Sequence, residues 1–258
     1  LYLNKGTLQF EEITNASGVI TDQWCTGVTM TDINYDGFLD IYVCVSGHTD
    51  SLKRRNLLFV NNQDNTFSEQ AAEYGLADGG YSTQALFFDY DKDGDLDMYL
   101  LNHSNGDRDS QTITPIMRNG LGHSTDKLFQ REGNYFKDVS AKAGINVEGY
   151  GLGVGVGDFN NDSWPDLYVA NDYIYNDLLY INNQDGTFSD VAKQWLQQTS
   201  QFSMGTDVAD INNDGFADVL IGAHEYFETR TNEGKAYLYL GGPDGPSTTP
   251  VWTMRGDG

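Results

Sequence analysis

Residues 89–97 read "DYDKDGDLD", five aspartates in nine positions. Like charges at that density repel unless something offsets them. The same frame recurs as "DINYDGFLD" (Asp32 to Asp40), "DFNNDSWPD" (Asp158 to Asp166) and "DINNDGFAD" (Asp210 to Asp218). Each copy has Asp at positions 1, 5 and 9, Asn or Asp at 3, and, in all but the third, Gly at 6. Oxygen ligands at alternate positions, followed by a Gly that permits a sharp turn, are what a short loop needs to wrap a hard cation such as calcium. A backbone carbonyl at position 7 and the carboxylate at 9 complete the expected shell. Asp, Asn and Gly also make ordinary polar turns, but four copies in one register argue for ligation. The loops hold 14 carboxylates, and four calcium ions would move the formal charge from -23 to -15. Position 12 of the frame is Val43, Leu100, Val169 or Ile221, where an EF-hand needs Glu, so these are not EF-hands.

The flanks of the loops set the fold. "GVTMT", "ALFF", "GVGVG" and "GTDVA" precede them, and "IYVCV", "MYLLN", "LYVAN" and "VLIGA" follow; all read as strands, so each loop joins a hairpin. A third strand follows in each unit, at Asn56 to Gln63, Lys127 to Gly133, Asp177 to Gln184 and Ala236 to Gly242. A fourth is expected at Thr66 to Ala72, Tyr135 to Ala141, Thr187 to Lys193 and Pro250 to Gly256. The first aspartates lie 57, 69 and 52 residues apart. Four strands at about 60-residue spacing predict an all-β propeller of four-stranded blades. Glycines in the first strand, as at Gly151, Gly153, Gly155 and Gly157, suit the crowded strand nearest the axis. Expected units are a partial blade at 1–25 and blades at 26–80, 81–148, 149–200 and 201–258, about four and a half in all. The N-terminal strand pair has no C-terminal complement, which predicts a piece of a larger ring or a chain completed by another copy. A change of repeat style near Asp218 leaves room for a composite chain.

Composition bounds the function. With 38 acidic against 15 basic residues, a nucleic-acid backbone would be repelled and cations are the natural partners. No run of about 18 apolar residues marks a membrane span. The start, "LYLNKGTLQF", has neither Met nor a signal-peptide pattern and reads as a mature or excised piece. Cys25 and Cys44 flank one acidic loop, which leaves open a disulfide or two thiols.

The loops with their flanking strands resemble the FG-GAP and VCBS repeats of calcium-binding β-propellers, the type found in integrin α heads. Residues 1 to about 218, with "GYGLGVGVGDFNNDSWPDLYVAND" and "LLYINNQDGTFSDVA", are similar to bacterial VCBS-type relatives of cartilage acidic protein, whereas "ADVLIGAHEYFETRTNEGKAYLYLGG" looks more integrin-like. The resemblance implies a secreted or cell-surface propeller, usually of seven blades, whose calcium stiffens the scaffold while rim loops bind partners. Carried over by position, the ligands are Asp32, Asn34, Asp36, Phe38 through its carbonyl, and Asp40 in the first loop, and Asp89, Asp91, Asp93, Asp95 and Asp97 in the second. The third loop supplies Asp158, Asn160, Asp162, Trp164 and Asp166, and the fourth Asp210, Asn212, Asp214, Phe216 and Asp218. The third departs from the pattern, with Ser163 at the Gly position and Pro165 at position 8. A left-handed Ser163 costs on the order of 1 kcal/mol.

Function is expected on the rims, as binding or adhesion to a protein or glycan. The long connection 103–126, with His103, Arg108, Arg118 and His123 in an acidic protein, is the leading candidate. His103, His224 and Asp172 stand at equivalent places and are expected on one rim. Arg255-Gly256-Asp257 resembles an integrin-binding tripeptide, and Asn15 and Asn102 open glycosylation sequons. No nucleophile elbow, zinc helix or phosphate loop occurs. A rim polysaccharide lyase or hydrolase, and a structural subunit that self-assembles through open propeller ends, are the alternatives.

Overall fold

A computed structural model describes the 258-residue chain except 104–114, 174, 197–198, 200–201, 224–233, 244 and 256–258. Strands β1 (Tyr2–Asn4) and β2 (Phe10–Glu12) form a two-stranded sheet. The next sheet contains β3 (Trp24–Thr31), β4 (Asp40–Ser46), β5 (Leu57–Asn61) and β6 (Phe67–Glu69). Then come β7 (Ser82–Phe88), β8 (Asp97–Asn102), β9 (Lys127–Glu132) and β10 (Tyr135–Asp138). The third four-stranded sheet is β11 (Gly151–Gly157), β12 (Asp166–Asn171), β13 (Leu178–Asn182) and β14 (Phe188–Asp190). The fourth is β15 (Ser203–Ala209), β16 (Asp218–Ala223), β17 (Lys235–Tyr239) and β18 (Trp252–Arg255). Every four-stranded sheet is an antiparallel meander in sequence order, the blade unit of a β-propeller.

Period-two alternation stacks the blades. In β8, Met98 and Leu100 enter the core shared with Tyr42 and Leu58 of the preceding sheet, while Tyr99 and Leu101 enter the one shared with Leu167 and Val169 of the next. In β12, Tyr168 and Ala170 turn the other way, toward Val219 and Ile221. β8 and β12 are therefore buried on both faces and read as continuous apolar runs. First strands meet at glycines: a Cβ on Gly27 would lie 2.1 Å from the Thr83 carbonyl oxygen, and one on Gly153 2.8 Å from the Thr206 nitrogen. Threonine hydroxyls cross the same seams, Thr26 donating to the Ser82 carbonyl at 2.6 Å and Thr83 to the Gly151 carbonyl at 2.9 Å.

The fourth strands are shorter than expected from sequence. β6, β10 and β14 stop at Glu69, Asp138 and Asp190, and helical turns α1 (Thr14–Ser17), α2 (Ser140–Ala143) and α3 (Ala192–Trp195) follow β2, β10 and β14. An acid ends each strand and accepts a backbone N–H two residues on: Thr14 to Glu12, Ala71 to Glu69, Ser140 to Asp138 and Ala192 to Asp190. This local bond competes with the ladder and turns the chain. Cys25 and Cys44 are free thiols, the first exposed and the second buried. The register pairs Cys25 with Val45 and Gly27 with Cys44, with an irregularity between Cys25 and Gly27.

Candidate metal centre

All four acidic loops curl by one mechanism. The carboxylate at position 1 accepts the N–H groups of positions 5 and 6: Asp36 and Gly37 to Asp32, Asp93 and Gly94 to Asp89, Asp162 and Ser163 to Asp158, Asp214 and Gly215 to Asp210. Position 6 is left-handed throughout, with φ of 89° at Gly37, 95° at Gly94, 69° at Ser163 and 89° at Gly215. Position 4 is left-handed too, at Tyr35, Lys92, Asn161 and Asn213. Asparagine there was a legible signal, but Tyr35 and Lys92 hid the pattern. Both reach the next loop: the Tyr35 hydroxyl accepts the Leu96 N–H at 2.6 Å, and Lys92 Nζ lies 5.0 Å from the Trp164 ring centroid.

The aspartate at position 9 has a role the sequence did not reveal. Asp40, Asp97, Asp166 and Asp218 are fully buried. One oxygen of each accepts the N–H of position 2, from Ile33, Tyr90, Phe159 and Ile211, and the other accepts an N–H from the third-strand region, from Asn61, Arg131, Asn182 and Gly241. Each side chain pins its loop to the sheet. Burial pushes the Asp97 carboxyl up to about 8 and Asp166 to about 7 against these hydrogen bonds.

The four loops differ in how the remaining oxygens are occupied. In the first, third and fourth, the position-3 amide donates to the position-5 carboxylate: Asn34 to Asp36 at 3.1 Å, Asn160 to Asp162 at 2.8 Å and Asn212 to Asp214 at 2.8 Å. Gln63 and Gln184 donate to the same oxygens of Asp36 and Asp162. The Phe38 N–H and these amides hold Asp36 below the usual carboxylate range; for Asp162, burial acts upward but the hydrogen bonds from Gln184, Trp164 and Asn160 outweigh it.

The second loop has Asp91 at position 3, so no position-3 amide donates to Asp93; Gln130 Nε2 instead donates to Asp91 Oδ2 at 2.6 Å. Oxygens of Asp89, Asp91 and Asp97 all lie within 4.8 Å of one another. Asp91 Oδ1 and Asp95 Oδ1 are buried without a hydrogen-bond donor. Burial and then the neighbouring Asp93 raise the carboxyls of both. An all-oxygen donor set with two orphaned buried acceptors and mutual repulsion fits a hard divalent cation.

On the other rim, the described part of the long connection packs against neighbouring blades. Asp126 accepts the Tyr99 hydroxyl at 2.7 Å and the Asn102 N–H at 2.8 Å, and burial pushes its carboxyl up to about 7. Asn56 with Tyr42, and Asp177 with Tyr168, repeat the latch; Leu220 stands at the tyrosine position of the fourth blade. The His103 ring meets Tyr150 edge to face with centroids 5.0 Å apart, and the Asp172 N–H donates to the Tyr150 carbonyl, so these two share a neighbourhood. His224, Arg108, Gly256 and Asp257 lie outside the described residues.

Residues 44–100 and 158–221 match the FG-GAP-like repeat. The chain thus carries FG-GAP-like repeats in an all-β, blade-type propeller architecture. It is 27% identical over 244 residues to cartilage acidic protein 1 of Homo sapiens, covering 88% of this chain and 35% of that protein. Integrin alpha-3 of Cricetulus griseus is 33% identical over 142 residues, 50% of this chain and 13% of that one. The chain therefore spans about a third or less of the length of these relatives. A solved Agrocybe aegerita lectin, described as recognising non-reducing terminal N-acetylglucosamine, aligns with TM-score 0.49 at 16% identity over 98% of this chain and 59% of its own. A superposition that loose carries no functional argument. No helix among the described residues is long and apolar enough to cross a membrane.

Proposed function

We propose that the chain is a calcium-stiffened, extracellular β-propeller module that binds or adheres to partners through its rim. The observation that carries this reading is the second loop, where Asp89, Asp91 and Asp97 converge and Asp91 and Asp95 keep buried oxygens without donors. The ligands in this reading are Asp89, Asp91, Asp93, the Asp95 position and Asp97, with the matching residues of the other loops as further sites. When bound, the cation supplies positive charge that offsets the repulsion among these carboxylates. The chain's part is to hold them: position 1 winds the loop, and position 9 anchors it to the blade.

A site with a dissociation constant of about 0.1 mM, in about 1 mM calcium, stabilises the folded state by roughly 1.4 kcal/mol. Sites that weak fill outside cells and stay empty in cytosol, which supports an extracellular setting. The relatives that carry such repeats, integrin alpha chains among them, support binding as the activity. A thermal melt in about 1 mM calcium, repeated in excess chelator, tests the reading. A clear drop in Tm on chelation is expected, and superimposable melts would remove calcium from the account.

A further inference from the structure

A cavity opens on the rim opposite the acidic loops, between the first two four-stranded sheets. It has a volume of about 590 Å³, within the range of small-ligand sites. Its walls are the β4–β5 connection, with Arg54 and Arg55, and the described part of the β8–β9 connection, with Asn119, His123 and Thr125. In a chain with 15 Lys and Arg against 38 acids, two adjacent arginines and Lys127 gather here.

The acids of the lining already have partners. Asp78 pairs with Lys127, Asp138 accepts from Ser140, and Asp126 accepts from Tyr99 and Asn102. Among the described residues, neither Arg54 nor Arg55 has a carboxylate partner. Arg54 is held in place: Nη1 donates to the His48 and Thr49 carbonyls at 2.9 and 2.7 Å, and the guanidinium lies 4.0 Å from the Tyr81 ring centroid. Its Nε–H is nevertheless buried without an acceptor, and the buried Thr125 hydroxyl also lacks a partner. Buried polar groups are rarely left so.

We propose that this cavity binds the acidic end of a short saccharide, a uronate-class sugar whose carboxylate meets Arg54 and Arg55 while its hydroxyls meet Thr125 and Asn119. The proposal rests on the binding-module reading above and names a ligand class for it. A planar carboxylate matches the guanidinium fork. A short ligand feels the local arginines, because charges more than about 8 Å away are screened at physiological salt, whereas a long polyanion would meet the rest of a surface of net charge -23. Among the described wall residues only Asn102, Lys127 and Asp138 lie in strands, each at a strand's end, so an extended acidic peptide has little ladder to join.

The test is calorimetric titration of the calcium-loaded full chain with a glucuronate-terminated disaccharide and with its neutral glucose-terminated counterpart. Saturable binding of the first, about tenfold or more tighter than the second, is expected from one charge-assisted contact. Arg55→Ala, at an exposed position, should lose about tenfold in affinity with an unchanged melt. No binding, equal binding of the two sugars, wild-type affinity in Arg55→Ala, or tighter binding of a triglutamate peptide each overturns the proposal. If the calcium response persists while sugar binding fails, only the ligand assignment falls and the module reading stands.

Discussion

At the scale of single residues, the loops mix acids of opposite duty. Asp97 holds two backbone N–H groups in a fully buried place, so Asp97→Asn leaves one of them facing an amide donor. A loss of roughly 1–3 kcal/mol in a chelator denaturation series is expected. Ser163 sits at φ 69° where the other loops have Gly, and only its backbone N–H is used, by Asp158. Ser163→Gly should therefore stabilise the chain by about 0.5–1 kcal/mol, and an equal or lower Tm would contradict the strain assigned to it. Asp126 supplies one part of the pH dependence, beside Asp97 and Asp166. Its folded-state pKa of about 7 lies above the ordinary 3.8, so its contribution to stability is full below about pH 4 and is lost as pH rises through 7. In chelator, Asp126→Asn should remove that component, and the stability difference from wild type should shift in the variant's favour by up to about 1.4 kcal/mol per pH unit. A constant difference from pH 4 to 8 would show that Asp126 does not titrate in this window.

At the scale of elements, the first strands are the tightest part of the stack. Gly27→Ala drives a methyl into the Thr83 carbonyl, backbone against backbone, while a Cβ on Gly205 in β15 meets nothing within 4 Å. The first change should cost about 1–3 kcal/mol and the second stay within about 0.5 kcal/mol. Urea unfolding of the two variants checks the pair. The strand character of β8 and β12 was readable from their apolar, aromatic and β-branched runs, but which residues face which blade was not, since both faces are buried. The ends of the fourth strands were not readable either: whether Ser140 continues a ladder or caps a turn depends on Asp138 winning its N–H.

At the scale of the whole molecule, a net charge of -23 repels itself, and in the proposed reading calcium and salt would relieve the same repulsion by different means. Raising sodium chloride from about 0.05 to 0.5 M should raise the Tm in chelator more than it does in calcium, since screening has less left to do once the loops are loaded. Equal salt effects in both media would mean that the loop carboxylates are not where the repulsion resides. The stack also links neighbouring loops, since Arg131 of β9 donates to the Ile33 carbonyl and Asn182 of β13 to the Tyr90 carbonyl of the preceding sheet's loop.

The sequence by itself determined the repeat, the hairpins around each acidic loop and the oxygen-rich donor frame, because each depends on neighbours within about ten residues. The tertiary structure alone decided which loop keeps unpaired buried oxygens, which aspartate pins its loop to a third strand, and where two arginines meet a cavity. Those outcomes rest on partners such as Asp97 and Arg131, 34 residues apart, or on Arg54 and Thr125 from adjacent blades. The chain carries no local mark of such encounters until the blades stack.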